Sequence, residues 1–275
     1  MLAAPATPLR FKRLLLTGAA GGLGRELRPR LKAYCDVLRL SDIAELQPPQ
    51  AAAGEEIQTC PLQDAEAVMQ LVEGVDAIVH LGGVSTEQPW APILAANIMG
   101  VVNLYEAARK HGVQRVVFAS SNHVMGFYRQ DEVVDAKSPP RPDGFYGLSK
   151  AFGEDVAQLY WDRWGIETVS LRIGSSFPEV KDRRMLATWL SYDDLERLVM
   201  ASLTAPVVKH TIIYGTSDNA TSWYDNTYAK HIGYRPQDRS DVHRAAVEAR
   251  QPVLDRSDPA VIYQGGAFTK AAPHG

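Results

Sequence analysis

Short apolar runs and longer amphipathic stretches alternate along the first two thirds of the chain. Most of the short runs are rich in Leu, Ile and Val, a composition typical of strands that are buried on both faces. Between them, apolar residues recur at the three- and four-residue spacing of a helix. The pattern predicts strands at 13–17, 37–40, 56–60, 76–81, 115–119 and 168–173, a late return strand at 211–214, and helices near 25–32, 65–72, 97–110 and at Tyr146.

This alternation runs from residue 13 to about residue 174 and predicts a parallel sheet with helices on both faces. We therefore expect an α/β, doubly wound parallel sheet with a small, partly interleaved C-terminal lobe. Residues 1–11 lack the pattern and are expected to form a flexible N-terminal extension. Residues 12–174 would form the main domain, and residues 175–275, which carry more Pro, Trp and polar residues, the lobe that binds the substrate.

Composition and charge limit the partners that the chain would bind. Its 45% hydrophobic and 22% charged residues are typical of a soluble globular protein. A net charge of -3 without any basic run gives no indication of a nucleic-acid or membrane partner. The N terminus lacks the features of a signal peptide, and no apolar run reaches the roughly 18 residues of a membrane span, so we expect a cytoplasmic protein.

Cysteine and histidine usage gives no indication of a metal. Cys35 and Cys60 lie in or beside strand-like segments, as small buried apolar residues of a reducing compartment do. The seven histidines show no ligand spacing. We therefore expect neither a disulfide nor a metal site.

A glycine-rich turn joins the first predicted strand to the first helix. Glycines permit a tight turn and close approach to a pyrophosphate, and the helix N terminus supplies N–H groups for phosphates. Asp42 ends the second strand, where a carboxylate accepts both ribose hydroxyls and repels a 2′-phosphate, so NAD is favoured over NADP although Arg25 and Arg39 lie nearby. The alternatives are a flexible loop and a plain turn residue. In a Rossmann-type fold, the turn and Asp42 predict cofactor contacts at Gly18, Gly21, Gly22, Leu23, Gly24 and Asp42.

Polar residues follow the later strands, at the sheet edge where such folds bind ligands. They are Ser85, Ser121, Asn122, His123, Ser175 and Ser176. Tyr146 and Lys150, four residues apart, would lie on one face of a helix. An ammonium close to a phenol lowers the pKa of the phenol and lets it exchange protons near neutral pH. The combination predicts acid–base chemistry.

These motifs resemble the extended short-chain dehydrogenase/reductase family over residues 13 to about 175. The matching residues are the turn at 17–24, Asp42, Asn97, Ser121, Tyr146 and Lys150. Within that family, nearly the whole chain is similar to the uronate dehydrogenases. The stretches that carry this likeness are 80–85, 118–123, 141–146, 172–175, 184–194 and 264–266.

The resemblance implies a reaction, the NAD-dependent oxidation of D-galacturonate and D-glucuronate at C1 to an aldarolactone. Tyr146 would be the base that removes the proton of the C1 hydroxyl. Lys150 would lower the pKa of Tyr146 and hold the nicotinamide ribose. The other cofactor contacts that the resemblance implies are Leu62, Leu81, Gly82, Tyr146 and Ile173. Ser121 would hydrogen-bond the reacting oxygen, and Asn97 would anchor a proton-relay water. Arg184 would pair with the uronate carboxylate. The other implied substrate contacts are Ser85, Ser121, Asn122, His123 and Ser175.

Some of these residues also fit plainer interpretations. His123 fits a packed histidine at a strand end, and Ser85 and Ser175 fit turn residues. Arg184 lies in a charged run in which Arg183 is a rival for the carboxylate, and the Met-Leu that follows favours Arg184. One departure concerns adenine. Relatives carry an Asp after the third strand where this chain has Cys60-Pro61-Leu62, so adenine recognition there would fall to backbone near Leu62.

Two other functions stay open on the sequence alone. A nucleotide-sugar epimerase or dehydratase of the same superfamily generally needs a larger C-terminal domain than the roughly 100 residues after Ser175. A catalytically silent, NAD-sensing protein would not require the intact Ser121, Tyr146 and Lys150. We further expect the chain to form a homo-oligomer.

Overall fold

The computed structural model describes residues 10–48, 54–251 and 253–271, and a seven-stranded parallel sheet lies at its centre. Its strands are β1 (Phe11–Thr17), β2 (Cys35–Ser41), β3 (Glu55–Ile57), β4 (Ala77–His80), β5 (Arg115–Ser121), β7 (Glu167–Ile173) and β8 (His210–Gly215). They are ordered β3-β2-β1-β4-β5-β7-β8, and a separate ladder pairs β6 (Val134–Asp135) with β9 (Tyr224–Asp225). The predicted α/β Rossmann-type sheet is confirmed, including the late return strand, which pairs with β7 in parallel.

Strand order reverses next to β1, because β2 and β3 follow on one side and β4, β5, β7 and β8 on the other. In a doubly wound sheet the crevice at such a reversal, beyond the carboxyl ends of the strands, is where ligands bind. β1 begins at Phe11, two residues earlier than predicted, inside the segment expected to be an extension. The remainder of that segment, residues 1–9, lies outside the described residues.

Helices cover both faces of the sheet. They are α1 (Gly22–Leu31), α2 (Ala65–Val72), α3 (Trp90–Ile93), α4 (Gly100–His111), α5 (Phe145–Trp164), α6 (Met185–Thr188), α7 (Tyr192–Thr204), α8 (Arg244–Arg250) and α9 (Pro259–Ile262). One apolar layer joins α1 and α7 to the sheet, with Leu27 and Leu198 fully buried. The other joins α2, α4 and α5, with Leu104 and Ala157 fully buried. These layers fix the strand ends that carry the polar residues.

The helical segment from Trp90 to His111 consists of α3, a π-helical turn at Leu94–Met99 and α4. With 22 residues, it is the single helix of the described chain that is long and apolar enough to cross a membrane. Its inner face packs into the protein core through Val101, Leu104 and Tyr105. This packing accounts for the apolar residues of the inner face, whereas Trp90, Leu94, Met99 and Val102 are exposed.

The chain after β7 is interwoven with the sheet, since α7 packs in one helical layer and β8 forms the sheet edge. The division at residue 174 between domain and lobe stays a prediction. Near the C terminus the chain returns to the loop that follows β5. Gln264 is fully buried there, and its side-chain amide donates hydrogen bonds to the carbonyls of Arg129 and Glu132. This anchorage brings residues 265–268 to the carboxyl edge of the sheet.

Candidate active site

A cavity of about 890 Å³ runs along the carboxyl edge of the sheet, within the size range of small-molecule sites. Every predicted site residue except Asn97 lines it. The cofactor set at its wall is Gly18, Gly21, Gly22, Leu23, Gly24, Asp42, Leu62, Leu81, Gly82 and Ile173. The catalytic and substrate set is Ser85, Ser121, Asn122, His123, Tyr146, Lys150, Ser175 and Arg184.

The glycine-rich turn after β1 has the shape that a pyrophosphate requires. Gly18 has a φ of 71°, and a Cβ there would lie 2.6 Å from the carbonyl carbon of Leu81. A Cβ on Gly24 would lie 2.2 Å from the carbonyl oxygen of Gly18, so both positions exclude larger residues. A Cβ on Gly22 would meet nothing within 4 Å. Because Gly21, the residue before α1, provides no side-chain cap, the helix N terminus faces this open space and can hold phosphates.

Asp42 is held at the end of β2 by two backbone hydrogen bonds. Its Oδ2 accepts from the Ala20 N–H at 2.9 Å and its Oδ1 from the Ala44 N–H at 3.0 Å. The carboxylate is therefore oriented at the cavity wall beside the glycine turn, where the adenosine ribose of a dinucleotide lies in this fold. Ile43, next to it, also lines the cavity with 74% of its surface exposed and offers an apolar surface to an adenine ring. Together with the turn, these residues fit NAD.

Leu62 and Gln63 line the cavity after the third strand. The carbonyl of Leu62 accepts a hydrogen bond from the side-chain amide of Asn103 at 2.9 Å and keeps a second lone pair. A backbone contact from Leu62 to adenine stays a prediction.

Tyr146 and Lys150 lie in the first turns of α5, and both are buried. The Lys150 Nζ is 5.7 Å from the ring centroid of Tyr146 and 5.3 Å from that of Phe118. Gly144 gives the helix no side-chain cap, and Glu87 supplies one from the loop after β4. Its two carboxylate oxygens accept from the N–H groups of residues 145 and 146, each at 2.9 Å. This carboxylate fixes the start of the helix that carries the phenol.

Burial acts against the charged form of both groups. It raises the pKa of Tyr146 to about 12, opposed by a hydrogen bond with Ser121. Burial also lowers the pKa of Lys150 to about 8. Burial therefore sets the direction of the Tyr146 pKa in the protein by itself, and the role of Lys150 in lowering that pKa stays a prediction. The phenol would need a further positive charge nearby to act as a base near neutral pH.

Asn97 lies in the π-helical turn before α4, and its side chain is fully engaged. Its Nδ2 donates to the Val84 carbonyl at 3.0 Å and to the Ser149 Oγ at 2.9 Å. Its Oδ1 accepts from the Val84 N–H at 2.7 Å. The side chain thus joins the loop after β4 to α5 and does not line the cavity. Its implied role at a relay water stays a prediction, and these contacts indicate that it positions Ser85 and α5.

The residues after β5 form the wall opposite the glycine turn. His123 Nδ1 lies 2.6 Å from the Asp143 Oδ2, and the ring of Phe268 stacks on the imidazole at 3.8 Å between centroids. Asn122 Nδ2 donates to the hydroxyl of Tyr224 at 3.3 Å. His123 is thus packed and paired, and it still lines the cavity.

Arg184 lines the cavity and carries a donor without a partner among the described residues. Its Nε donates to the Gln264 carbonyl and its Nη1 to the Ser175 Oγ, at 3.1 Å for the latter bond. Its Nη2 is buried and has no hydrogen-bond partner among the described residues. Arg183, the rival in sequence, donates instead to the Gln251 carbonyl at 2.7 Å and does not line the cavity. An anionic ligand would satisfy the Nη2 of Arg184.

The model of the NAD dependent epimerase/dehydratase family matches residues 14–225 of this chain. The uronate dehydrogenase of Pseudomonas syringae pv. tomato is 60% identical over 277 aligned residues, which cover 100% of this chain and 99% of the relative. The crystal structure of a glucuronic acid dehydrogenase from Chromohalobacter salexigens superposes with a TM-score of 0.93 at 52% identity, covering 95% of this chain and 98% of that one.

A variant of the uronate dehydrogenase from Agrobacterium tumefaciens, solved in complex with NAD, superposes with a TM-score of 0.92 at 46% identity, covering 95% of this chain and 98% of that one. The chain belongs to the uronate dehydrogenase family. It is an NAD-dependent oxidoreductase, and the predicted family and cofactor are confirmed. The predicted cytoplasmic location and homo-oligomeric state stay predictions.

Five residues at or beside the site were not assigned a role from the sequence. They are Ile43, Glu87, Asp143, Ser176 and Phe268. Asp143 falls inside a stretch that carries the family resemblance, and that stretch was the signal available for it. Ser176 was noted beside Ser175 but not assigned, and its Oγ is buried at the cavity wall without a partner among the described residues. Phe268 gave no local signal, because its position depends on the C-terminal return.

The described residues contain no group of three or more His, Cys, Asp or Glu that could hold a metal ion. Cys35 and Cys60 are both buried and free, and burial raises the pKa of each thiol to about 11. A thiol with so high a pKa is a poor nucleophile at neutral pH.

Proposed function

We propose that the chain oxidises hexuronates, D-galacturonate and D-glucuronate, at C1 with NAD and releases the aldarolactone. The observation that carries the proposal is the buried, unpartnered Nη2 of Arg184, a residue that lines the same cavity as Tyr146. An unpaired guanidinium nitrogen in a buried place costs free energy unless a ligand satisfies it. A sugar carboxylate is the matching group, because it accepts from a guanidinium through two oxygens.

The relatives support the choice of acid. The similar proteins are described as uronate dehydrogenases and a glucuronic acid dehydrogenase. Both names denote sugars with a carboxylate at one end and an anomeric hydroxyl at the other. With its carboxylate at Arg184, such a sugar would turn its other end toward the Tyr146 end of the cavity.

The protein residues would bind the sugar, orient it and move one proton. Tyr146 Oη would take the proton from the C1 hydroxyl, while Ser121, which already hydrogen-bonds the phenol, would hold the same oxygen. Lys150 contributes a positive charge that favours the phenolate over the phenol. Bound NAD supplies a hydride acceptor and a second positive charge. Ser85, Asn122, His123 and Ser175 would bind the remaining hydroxyls or the carboxylate.

The test is NADH formation from a panel of uronates, neutral aldoses and UDP-sugars. We expect turnover of the uronates and none of the UDP-sugars. Arg184→Ala should lower kcat/KM for uronates by about 10²-fold, the effect of losing a charged hydrogen-bonded pair, and should leave any slow oxidation of neutral aldoses unchanged. Arg183→Ala, which removes an arginine outside the cavity, is the matched control. Equal losses for uronates and neutral aldoses would refute the carboxylate clamp.

Tyr146→Phe tests the base. The variant removes one oxygen and keeps the ring, so it should lower kcat by about 10² to 10⁴-fold, the range for loss of a general base. The Kd of NAD, measured by fluorescence quenching, should stay within a factor of about two to three. Near-normal turnover in Tyr146→Phe would overturn the assignment of the base even if the uronate specificity held.

A further inference from the structure

Asp143 and His123 form a buried pair at the substrate end of the cavity. The side chain of Asp143 is fully buried and that of His123 is 11% exposed, and the Nδ1 and Oδ2 atoms are 2.6 Å apart. Asp143 directly precedes the glycine that begins α5, and His123 follows β5, so the pair joins two elements of the site. No step of the proposed reaction uses Asp143 directly.

The bond determines which imidazole nitrogen carries the hydrogen. A carboxylate oxygen only accepts, so Nδ1 must donate, and in a neutral ring the lone pair then lies on Nε2. Burial lowers the pKa of His123 below its ordinary value, against the opposing effect of Asp143, which is consistent with a neutral ring at the pH of catalysis. Nε2 has no hydrogen-bond partner among the described residues, and the ring lines the cavity.

Aromatic packing restrains the plane of the imidazole. Phe268 stacks on it with 25° between the rings, and Tyr146 contacts it edge-on at 5.8 Å between centroids. A flip of the ring would exchange Nδ1 with Cδ2 and Nε2 with Cε1, and it would break the bond to Asp143. The acceptor at Nε2 is therefore fixed in both direction and chemical character.

Packing alone does not account for a carboxylate at position 143. The Oδ1 of Asp143 is buried and lacks a hydrogen-bond partner among the described residues, an arrangement that lowers stability. Gly126 and Gly265 abut the side chain so closely that a Cβ on either would lie 2.0 Å from Oδ2. The chain thus accommodates a costly charged group where an amide of the same shape would fit.

We propose that Asp143 is a positioning residue that holds His123 in the Nδ1–H tautomer, so that Nε2 accepts a hydrogen bond from a hydroxyl of the sugar. The inference rests on the proposed function, because it identifies the sugar as the donor. It divides the work in the cavity: Arg184 donates to the carboxylate, and His123 accepts from a hydroxyl. A sugar that lacks this hydroxyl, or carries it as a methyl ether, would lose the bond.

The first experiment measures the tautomer directly. Nitrogen NMR of the wild-type protein above neutral pH should show a protonated Nδ1 and an unprotonated Nε2 for His123. The His123→Gln variant assigns the signal of this ring among the seven histidines. A protonated Nε2 would overturn the proposal. This measurement needs no substrate, so its result is independent of whether uronates are oxidised.

The second experiment uses Asp143→Asn, which keeps shape and removes charge. An amide can donate or accept, so the tautomer is no longer fixed and kcat/KM for uronates should fall about tenfold to a hundredfold. Replacing the bonded hydroxyl of the substrate by hydrogen should reduce kcat/KM strongly for wild type and little for the variant. NAD binding and urea stability should not decrease. Asp155→Asn, an exposed position on α5, is the matched control.

Two outcomes of the second experiment contradict the proposal. One is a folded Asp143→Asn protein whose kcat/KM stays within about twofold of wild type. The other is an equal loss for every deoxy sugar in both proteins, which would indicate a purely structural role. If the wild-type protein forms no NADH from any uronate, the proposed function is refuted. The tautomer measurement then still tests whether Asp143 holds His123 with its hydrogen on Nδ1. Should Asp143→Asn not fold, that same measurement on wild type decides.

Discussion

Lys150 should lower the stability of the protein while it enables the reaction. The residue is 6% exposed, and burial lowers its pKa from 10.5 to about 8. Each unit of pKa shift corresponds to about 1.4 kcal/mol, so carrying the buried ammonium at neutral pH costs the folded state about 3 kcal/mol. Its cation–π contacts with the rings of Phe118 and Tyr146 stabilise the folded state by about 1 kcal/mol. Lys150→Met, which keeps a long apolar side chain, should therefore stabilise the protein by about 2 kcal/mol at pH near 7.

The sign and the pH window follow from the two pKa values. Below about pH 8 both the folded and the unfolded lysine are protonated, and the full penalty applies. Between pH 8 and 10.5 the unfolded chain binds more protons than the folded one, so wild-type stability rises with pH relative to the variant. Above pH 10.5 the difference should vanish or reverse slightly.

The assay is urea unfolding followed by tryptophan fluorescence, with NAD and sugars left out, at several pH values for both proteins. The quantity of interest is the difference in free energy of unfolding, since other titrating groups cancel in it. Lys110→Met, at a lysine whose side chain is 54% exposed, should change stability by less than about 0.5 kcal/mol. The reasoning fails if Lys150→Met is less stable than wild type at neutral pH, or if the difference does not depend on pH. NADH formation by the variant should be lost in every case.

Two further predictions concern the glycine turn and the catalytic helix. The new methyl of Gly22→Ala meets no protein atom within 4 Å, so this variant should fold with normal stability and bind NAD at least tenfold more weakly. The methyl of Gly24→Ala would lie 2.2 Å from a carbonyl oxygen, so this variant should lose about 1–3 kcal/mol of unfolding free energy. Calorimetric titration with NAD and urea unfolding of both variants test the prediction, and the opposite ranking would contradict it. Glu87→Gln should cost about 1–2 kcal/mol of stability, because the amide turns a donor toward a backbone N–H. The same change at Glu66, exposed in the first turn of α2, should cost less than half as much, and equal effects would argue against a specific cap.

The sheet follows from sequence more fully than the helices do. Each predicted strand is present, because a short apolar run bounded by turn residues has few other ways to bury both faces. The helix predicted from Asn97 begins instead at Trp90. The π-helical turn at Leu94–Met99 explains the difference, since a wider turn shifts the spacing of apolar residues away from the helical period. The ladder of β6 and β9 went unpredicted because two-residue strands leave no pattern.

The predictable part of the site is the part that lies at strand ends. Parallel strands bring their carboxyl ends to one edge, so Asp42, Ser85, Ser121 and Ser175 had to converge once the alternation was recognised. Phe268, which lines the same cavity, and Asp143, which pairs with the lining residue His123, are placed by other contacts. Their placement depends on hydrogen bonds of Gln264 with residues 128–132 and on the close contact of Asp143 with neighbouring glycines. Such contacts join segments that are far apart in sequence. They leave no periodic pattern of residues from which they could be predicted.

The electrostatics of the site were the least predictable feature, because spacing gives proximity and not solvation. Tyr146 and Lys150 lie on the same helix, as expected. Burial nevertheless raises the pKa of the phenol and lowers that of the ammonium. A buried phenol with a pKa of about 12 cannot serve as a base at neutral pH until positive charge accumulates beside it. The oxidised nicotinamide carries that charge and the reduced form does not. The pKa of Tyr146 should therefore fall when NAD binds, so that the phenolate is present when the proton of the C1 hydroxyl must be taken. It should rise again once hydride has been transferred, so that the phenol keeps that proton.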